Sequence, residues 1–435
     1  MKIFKNKFIT STFILILSGM ATKVLGLIIK IIFTRIVGTT TISLYTIVMP
    51  TYSLLLTIST MAMPTTISKL ISQKNDPKVL NSATILILLL NAVLIIAMFI
   101  LSPFIANNLL KEPDAYPLLI AMSLTLPFAS LACILKGYYY GKQKMIPHVV
   151  SNTVEQIIRL TLVITVMPIL IKKSYVHAAT GLIFTSFFTE LASIIVFLLF
   201  MNKKDAINLA KIKYNSNDAK DILSLSVPSV ASRIVGNICY FFEPIILTNV
   251  LLHSGYSGSY ILTQYGAYNA YAISTLTIPS FFVTAIASAL IPEVSKYIET
   301  KDYLLVKKRL KQAFIFTFLI GLSFTFIIFV FRNNLLSFLY NTTLGSDYIR
   351  ILAPFFILFY FEAVFASFMQ AIGKANITLK ITIIGSIIKL LCIAGLSLLK
   401  IGLYSLVIAE ILNIILVVFL NYLYMKLFFI NLNDK

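Results

Sequence analysis

The 435-residue chain has no tryptophan, only three histidines and three cysteines, and charged residues make up just 12% of it. Acids are scarcest, with 16 aspartates and glutamates against 36 lysines and arginines, a net charge of +20. Without tryptophan, tyrosine and phenylalanine must supply any aromatic belt at a membrane interface. Cys133, Cys239 and Cys392 each sit inside an apolar run with no metal-ligand spacing, so buried free thiols are expected. His148 and His177 near span ends and His253 in a loop do not form a metal set. There is no phosphate-binding glycine loop, no nucleophile constellation and no pair of catalytic carboxylates, so an ATPase, a membrane hydrolase or any other enzyme is not expected. No basic soluble domain exists to put the positive charge on nucleic acid.

What the chain does have is apolar sequence. Hydrophobic residues make up 59% of it, and its mean hydropathy is +0.93. That composition predicts an all-α polytopic membrane protein. About twelve runs reach the ~20 residues a bilayer requires, near 8–36, 43–67, 81–105, 116–139, 148–171, 177–201, 222–250, 261–290, 312–331, 350–372, 377–399 and 402–425. Pro50, Pro127, Pro168, Pro244 and Pro279 predict kinks or breaks in these helices. Lys2, Lys5 and Lys7 before an apolar run resemble a signal peptide, but the run continues well past a signal core and is read as a first transmembrane helix.

Lysines and arginines set the orientation. One alternate set of connections carries twenty-four of them and the opposite set seven, which predicts a multi-pass protein of the cytoplasmic membrane with both termini in the cytoplasm. The polar linker 202–221 falls on the same side and divides an N-terminal lobe, 1–201, from a C-terminal lobe, 222–435. Five cations remain inside spans: Lys23, Lys30, Arg159, Arg233 and Lys389.

The first span carries the most unusual pattern. Gly19, Lys23, Gly26 and Lys30 fall at i, i+4, i+7 and i+11, so they share one helical face that is cationic and short of side-chain bulk. About 20 Å of helix separates Lys23 from either end of the run, further than a lysine stem reaches. A water-filled cavity or a partner is therefore favoured for Lys23, while snorkelling stays open for Lys30.

An internal repeat gives that face a counterpart. Ala21-Thr22-Lys23-Val24-Leu25-Gly26 matches Ala231-Ser232-Arg233-Ile234-Val235-Gly236, and Pro64…Ile67-Ser68-Lys69 matches Pro292…Val294-Ser295-Lys296. Gly141-Lys142…Ile157-Ile158-Arg159-Leu160 matches Gly373-Lys374…Ile387-Ile388-Lys389-Leu390. Two six-helix lobes related by a pseudo-two-fold along the membrane normal follow, with a substrate path between them and alternating access as the mechanism. Lys23 and Arg233 are expected to approach the pseudo-axis, and the seventh span repeats the face as Ser229, Arg233, Gly236 and Tyr240. A chamber so lined favours an anion, with a diphosphate as the biological candidate. The structural alternative pairs Arg233 with Glu243.

All the acids within spans are glutamates: Glu155, Glu190, Glu243, Glu362 and Glu410. Glu155 and Arg159 are i, i+4 neighbours and read as a structural pair. Glu243, next to Pro244, is the candidate to hold a coupling ion, H+ or Na+, and a structural role is the alternative. No other cofactor is expected.

At this point the residues resemble a known family. Leu135-Lys136-Gly137-Tyr138-Tyr139-Tyr140-Gly141-Lys142-Gln143-Lys144-Met145-Ile146-Pro147, followed by Val154-Glu155-Gln156-Ile157-Ile158-Arg159, is similar to the stage V sporulation protein B branch of the polysaccharide transporters. So are Lys23-Val24-Leu25-Gly26, Arg35-Ile36-Val37-Gly38, Leu44-Tyr45…Met49-Pro50…Tyr52-Ser53-Leu54 and Met63-Pro64-Thr65-Thr66-Ile67-Ser68-Lys69-Leu70. The wider superfamily contains lipid II flippases and multidrug and toxin extrusion antiporters, so the resemblance implies two six-helix bundles in a V. It also implies movement of an undecaprenyl-diphosphate-linked sugar, such as lipid II, to the outer leaflet by a monomeric carrier, in a cell-wall or sporulation context. Lys23, Lys30 and Arg35 match family cations by position and join Arg233 as expected substrate-binding residues. The competing reading is a cation-coupled drug antiporter on the same fold, which needs acids in its chamber, and no aspartate lies in any span here.

Overall fold

A computed structural model describes residues 7–74, 76–202, 205 and 214–433. Apart from residue 205, the expected linker is described only at its two ends, and residues 203–204 and 206–213 lie outside the described residues. The described chain is almost wholly helical. Its main helices are α1 (Lys7–Thr60), α2 (Met63–Lys74), α3 (Val79–Phe104), α4 (Tyr116–Gly141), α5 (Ile146–Lys173), α6 (Tyr175–Phe200), α7 (Ser216–His253) and α8 (Gly258–Gly266). They continue with α9 (Ser280–Glu299), α10 (Tyr303–Val330), α11 (Arg332–Tyr340), α12 (Ser346–Phe359), α13 (Phe361–Ala371), α14 (Ala375–Ser397) and α15 (Tyr404–Asn433).

Among the described residues, eleven helical segments are long and apolar enough to cross a membrane. The first of these, Ala21–Lys74, takes in two of the twelve expected spans, so the two counts describe the same chain. No polar loop separates those two spans; the break is made by Gly38 alone, at φ 76° and ψ 179°. Only glycine adopts that conformation without a Cβ penalty. A second break follows at Met61 (φ 44°) and Ala62 (φ 50°), consecutive left-handed residues that turn the chain from α1 into α2. The expected span 261–290 is also interrupted: α8 passes into a wider-wound segment, Ala267–Ile273, and α9 starts only after Pro279. The helices run through Pro50, Pro127 and Pro168 without interruption.

The surface explains the composition. On α3, Leu89, Val93, Ile96 and Ile100 are each more than 60% exposed and recur along one face. A water-soluble fold would bury such a stripe, whereas a bilayer solvates it.

Packing divides the chain into two compact units, residues 1–241 and 242–435, so the first part of α7 packs with the first unit. Three contacts hold it there. Lys74 bridges Asp218 (3.0 Å) and Asp221 (2.7 Å), the Asn215 amide donates to Ser82 Oγ (3.0 Å), and Asn237 bonds to α1. This packing division falls within α7.

Within the first unit, α2 and the end of α4 approach backbone to backbone. A Cβ at Gly137 would lie 2.8 Å from Ile67 Cβ, and one at Gly141 2.7 Å from Ile71 Cβ. Tyr138 and Tyr139 between them are buried, and Tyr139 donates to the Phe197 carbonyl (2.6 Å). Ser59, Asn91 and Ser130 tie α1, α3 and α4 together by buried hydrogen bonds of 2.7 and 3.1 Å, the small-polar contacts on which membrane helices rely. In the second unit, α9, α10 and α13 meet around Leu290, Val294, Val306, Leu310, Val364 and Phe368.

Candidate functional site

Arg233 lies in the wall of a cavity of about 170 Å³ whose other lining residues are Ser53, Leu56, Thr57, Thr60 and Ala62. All six belong to the first unit. The site is positioned by Asn237, one turn further along α7. Ser53 Oγ donates to Asn237 Oδ1 (2.7 Å), and Asn237 Nδ2 donates to Thr57 Oγ1 (2.9 Å) and to the Arg233 carbonyl (3.2 Å). That clamp ties α7 to α1 one turn from Arg233. The left-handed backbone at Ala62 closes the wall where α1 ends.

Within the cavity the hydroxyl protons are already committed. Thr57 donates to the Ser53 carbonyl (2.9 Å) and Thr60 to the Leu56 carbonyl (2.7 Å). Arg233 makes no ion pair among the described residues. A guanidinium presents five donors in a planar fork matched to phosphate and carboxylate. The cavity is therefore chemically suited to an anion, and no acid lines it.

Ser229, Arg233 and Tyr240 are exposed, and a Cβ at Gly236 would meet no atom within 4 Å. On α1, Lys23 and Arg35 are exposed and Lys30 is half-buried. Among the described residues, added Cβ atoms at Gly19 and Gly26 likewise meet nothing within 4 Å. Lys23, Lys30 and Arg35 are not part of the Arg233 cavity lining.

Arg159 and Lys389, also within expected spans, have carboxylate partners. Arg159 Nη2 lies 3.3 Å from Glu155 Oε1 and donates to Thr189 Oγ1 (3.3 Å). Lys389 on α14 lies 2.7 Å from Glu243 on α7 and 2.5 Å from Glu410 on α15. Tyr265 adds a hydroxyl donor to Glu243 (3.2 Å). Glu243, the expected ion-coupling residue, is thus already engaged by an ammonium and a phenol. Neither Lys389 nor Glu410 was singled out for this cluster by the sequence, because no short spacing connects helices so distant in the chain. Asn237 was missed for the same reason. Its one visible signal was a lone amide, one turn from Arg233, in an otherwise apolar run.

The comparisons agree with this architecture. A family model described as "Polysaccharide biosynthesis protein" matches residues 8–298, and the MatE model matches residues 233–394. The chain is similar to stage V sporulation protein B of Bacillus subtilis (strain 168), 30% identical over 398 residues covering 88% of this chain and 77% of the relative. It is also similar to lipid II flippase MurJ of the same organism, 22% identical over 421 residues covering 88% of this chain and 76% of the relative. In fold it resembles the inward-facing conformation of a multidrug resistance MATE family transporter, with a TM-score of 0.77 and 15% identity over 95% of this chain and 96% of that one. By the extent of the family match and the 30% relative, the chain belongs to the polysaccharide biosynthesis protein family.

Proposed function

We propose that this protein is a flippase that moves a polyprenyl-diphosphate-linked sugar, lipid II or a related unit, from the cytoplasmic to the outer leaflet by alternating access. The observation that carries the reading is Arg233: an arginine on a helix long and apolar enough to cross a membrane, in no ion pair among the described residues, in the wall of a cavity whose described lining holds no acid. Leaving a guanidinium so placed is costly unless an anionic ligand uses it. A diphosphate is the anion that a lipid-borne sugar brings to mid-membrane. The names of two relatives, a stage V sporulation protein and a lipid II flippase, support the same substrate class.

In this reading Lys23, Lys30 and Arg35 on α1 supply further contacts to the head group. The protein works as a carrier and not as an enzyme, needs no cofactor, acts as a monomer, and keeps both termini in the cytoplasm, where the lysine-rich connections lie. The drug-antiporter alternative is weakened by the same cavity, since a cationic drug requires an acid where this lining has none.

The test is reconstitution of the full chain in vesicles carrying lipid II or another polyprenyl-diphosphate sugar, with outward movement measured with and without an imposed ion gradient. Movement of at least one such lipid above protein-free vesicles is expected. Movement of a cationic dye with no movement of any of these lipids would instead identify an antiporter.

A further inference from the structure

The second unit contains the makings of a cation site. Two carboxylates, Glu243 from α7 and Glu410 from α15, converge with the Tyr265 hydroxyl from α8 in the interior of the unit. Their side chains are 5% and 14% exposed. Two acids facing each other in a membrane interior need a counter-charge, because neither ionised carboxylate is stable there alone. That charge is present, and it is covalently attached: the Lys389 ammonium touches both carboxylates, at 2.7 and 2.5 Å, with its own side chain 16% exposed.

We infer that Lys389 is a built-in cation. It fills from α14 the carboxylate site that α7 and α15 form, so this cluster takes its positive charge from the chain and not from a metal ion in solution. The geometry is that of an occupied cage. The ammonium spends two of its three N–H donors on the carboxylates, and the phenol serves the remaining oxygen of Glu243. A free Na+ at the same place would have to displace a tethered ion whose local concentration no bulk salt can match. Glu243 is therefore a structural anion, and Na+ does not act through it. A Na+ ion that drives transport acts elsewhere in the molecule. The inference holds whichever lipid is carried.

The test uses the purified full chain in detergent or nanodiscs, with thermal unfolding followed in NaCl, KCl and N-methyl-glucamine chloride at equal ionic strength. Wild type and Lys389→Arg, which keeps the cation, are expected to unfold at the same temperature in all three salts. Lys389→Gln is expected to unfold lower in the organic salt and to recover with added NaCl in a saturable way. The triple variant Lys389→Gln/Glu243→Gln/Glu410→Gln removes both acids together with the lysine; it is expected to fold and to lose that salt response. Two results would overturn the inference: a stabilisation of wild type by Na+ that disappears in Glu243→Gln, or a folded Lys389→Gln protein that responds identically to all three salts. Because none of these measurements reads lipid movement, their outcome is separable from that of the flippase assay.

Discussion

Asn237 donates to Thr57 Oγ1 at 2.9 Å, and through this bond the helix that carries Arg233 is fixed against the helix that carries the cavity's hydroxyls. Asn237 reaches only the backbone carbonyl of Arg233 (3.2 Å), and among the described residues no acid pairs with the guanidinium.

Asn237→Ala should weaken that clamp without removing the cation. It frees Ser53 and Thr57 from their shared partner, a loss of about 1–3 kcal/mol for half-buried polar groups. Lipid movement in vesicles is expected to fall while the purified yield stays near that of wild type. Equal movement by variant and wild type would remove Asn237 from the site.

Lys389→Met should be among the most destabilising single changes in the second unit. It leaves Glu243 and Glu410 facing each other without their shared ammonium, and breaking a buried pair in this way costs about 3–5 kcal/mol. A large drop in detergent-solubilised folded protein, restored in part by Lys389→Arg, is expected in size-exclusion profiles.

Arg159→Ala should act in the same direction but more weakly, since its pair with Glu155 is partly exposed, at 31% and 19%. A reduced folded yield with unchanged transport per folded molecule is the expected outcome. A specific loss of transport at full yield would mean that Arg159 has a substrate role.

Glycines on the two faces of the first unit should behave oppositely. Gly141→Val puts side-chain atoms where Ile71 Cβ and the Ser68 carbonyl already lie, 2.7 and 2.8 Å from the new Cβ, and overpacking of that kind costs about 1–3 kcal/mol or more. Gly26→Ala meets open space and should leave the folded yield intact. Expression and thermal unfolding of the two variants, side by side, check the contrast.

Much of the fold was legible because a bilayer imposes a length and a composition on each span. The count of about twelve spans did not anticipate how two regions are built: Gly38 alone separates the first two spans, with no polar loop, and the span 261–290 is interrupted between α8 and α9. The pair Glu155–Arg159 was readable from i, i+4 spacing, since one helix contains both partners. The Glu243–Lys389–Glu410 cluster was not, because its members come from α7, α14 and α15 and nothing local marks them as neighbours. The Gly137–Gly141 run carried the family resemblance, and its structural duty proved to be close helix packing against α2. Arg233 was found in the sequence as the repeat counterpart of Lys23. What the sequence could not supply was Asn237 and the cavity, since both depend on how α7 lies on α1.

The most direct measurement is the rate of lipid II or related polyprenyl-diphosphate sugar movement by Arg233→Ala, in vesicles matched to wild type for folded protein. Movement is expected to be lost while protein abundance and unfolding temperature are retained. Full movement by the alanine variant at equal abundance would contradict it.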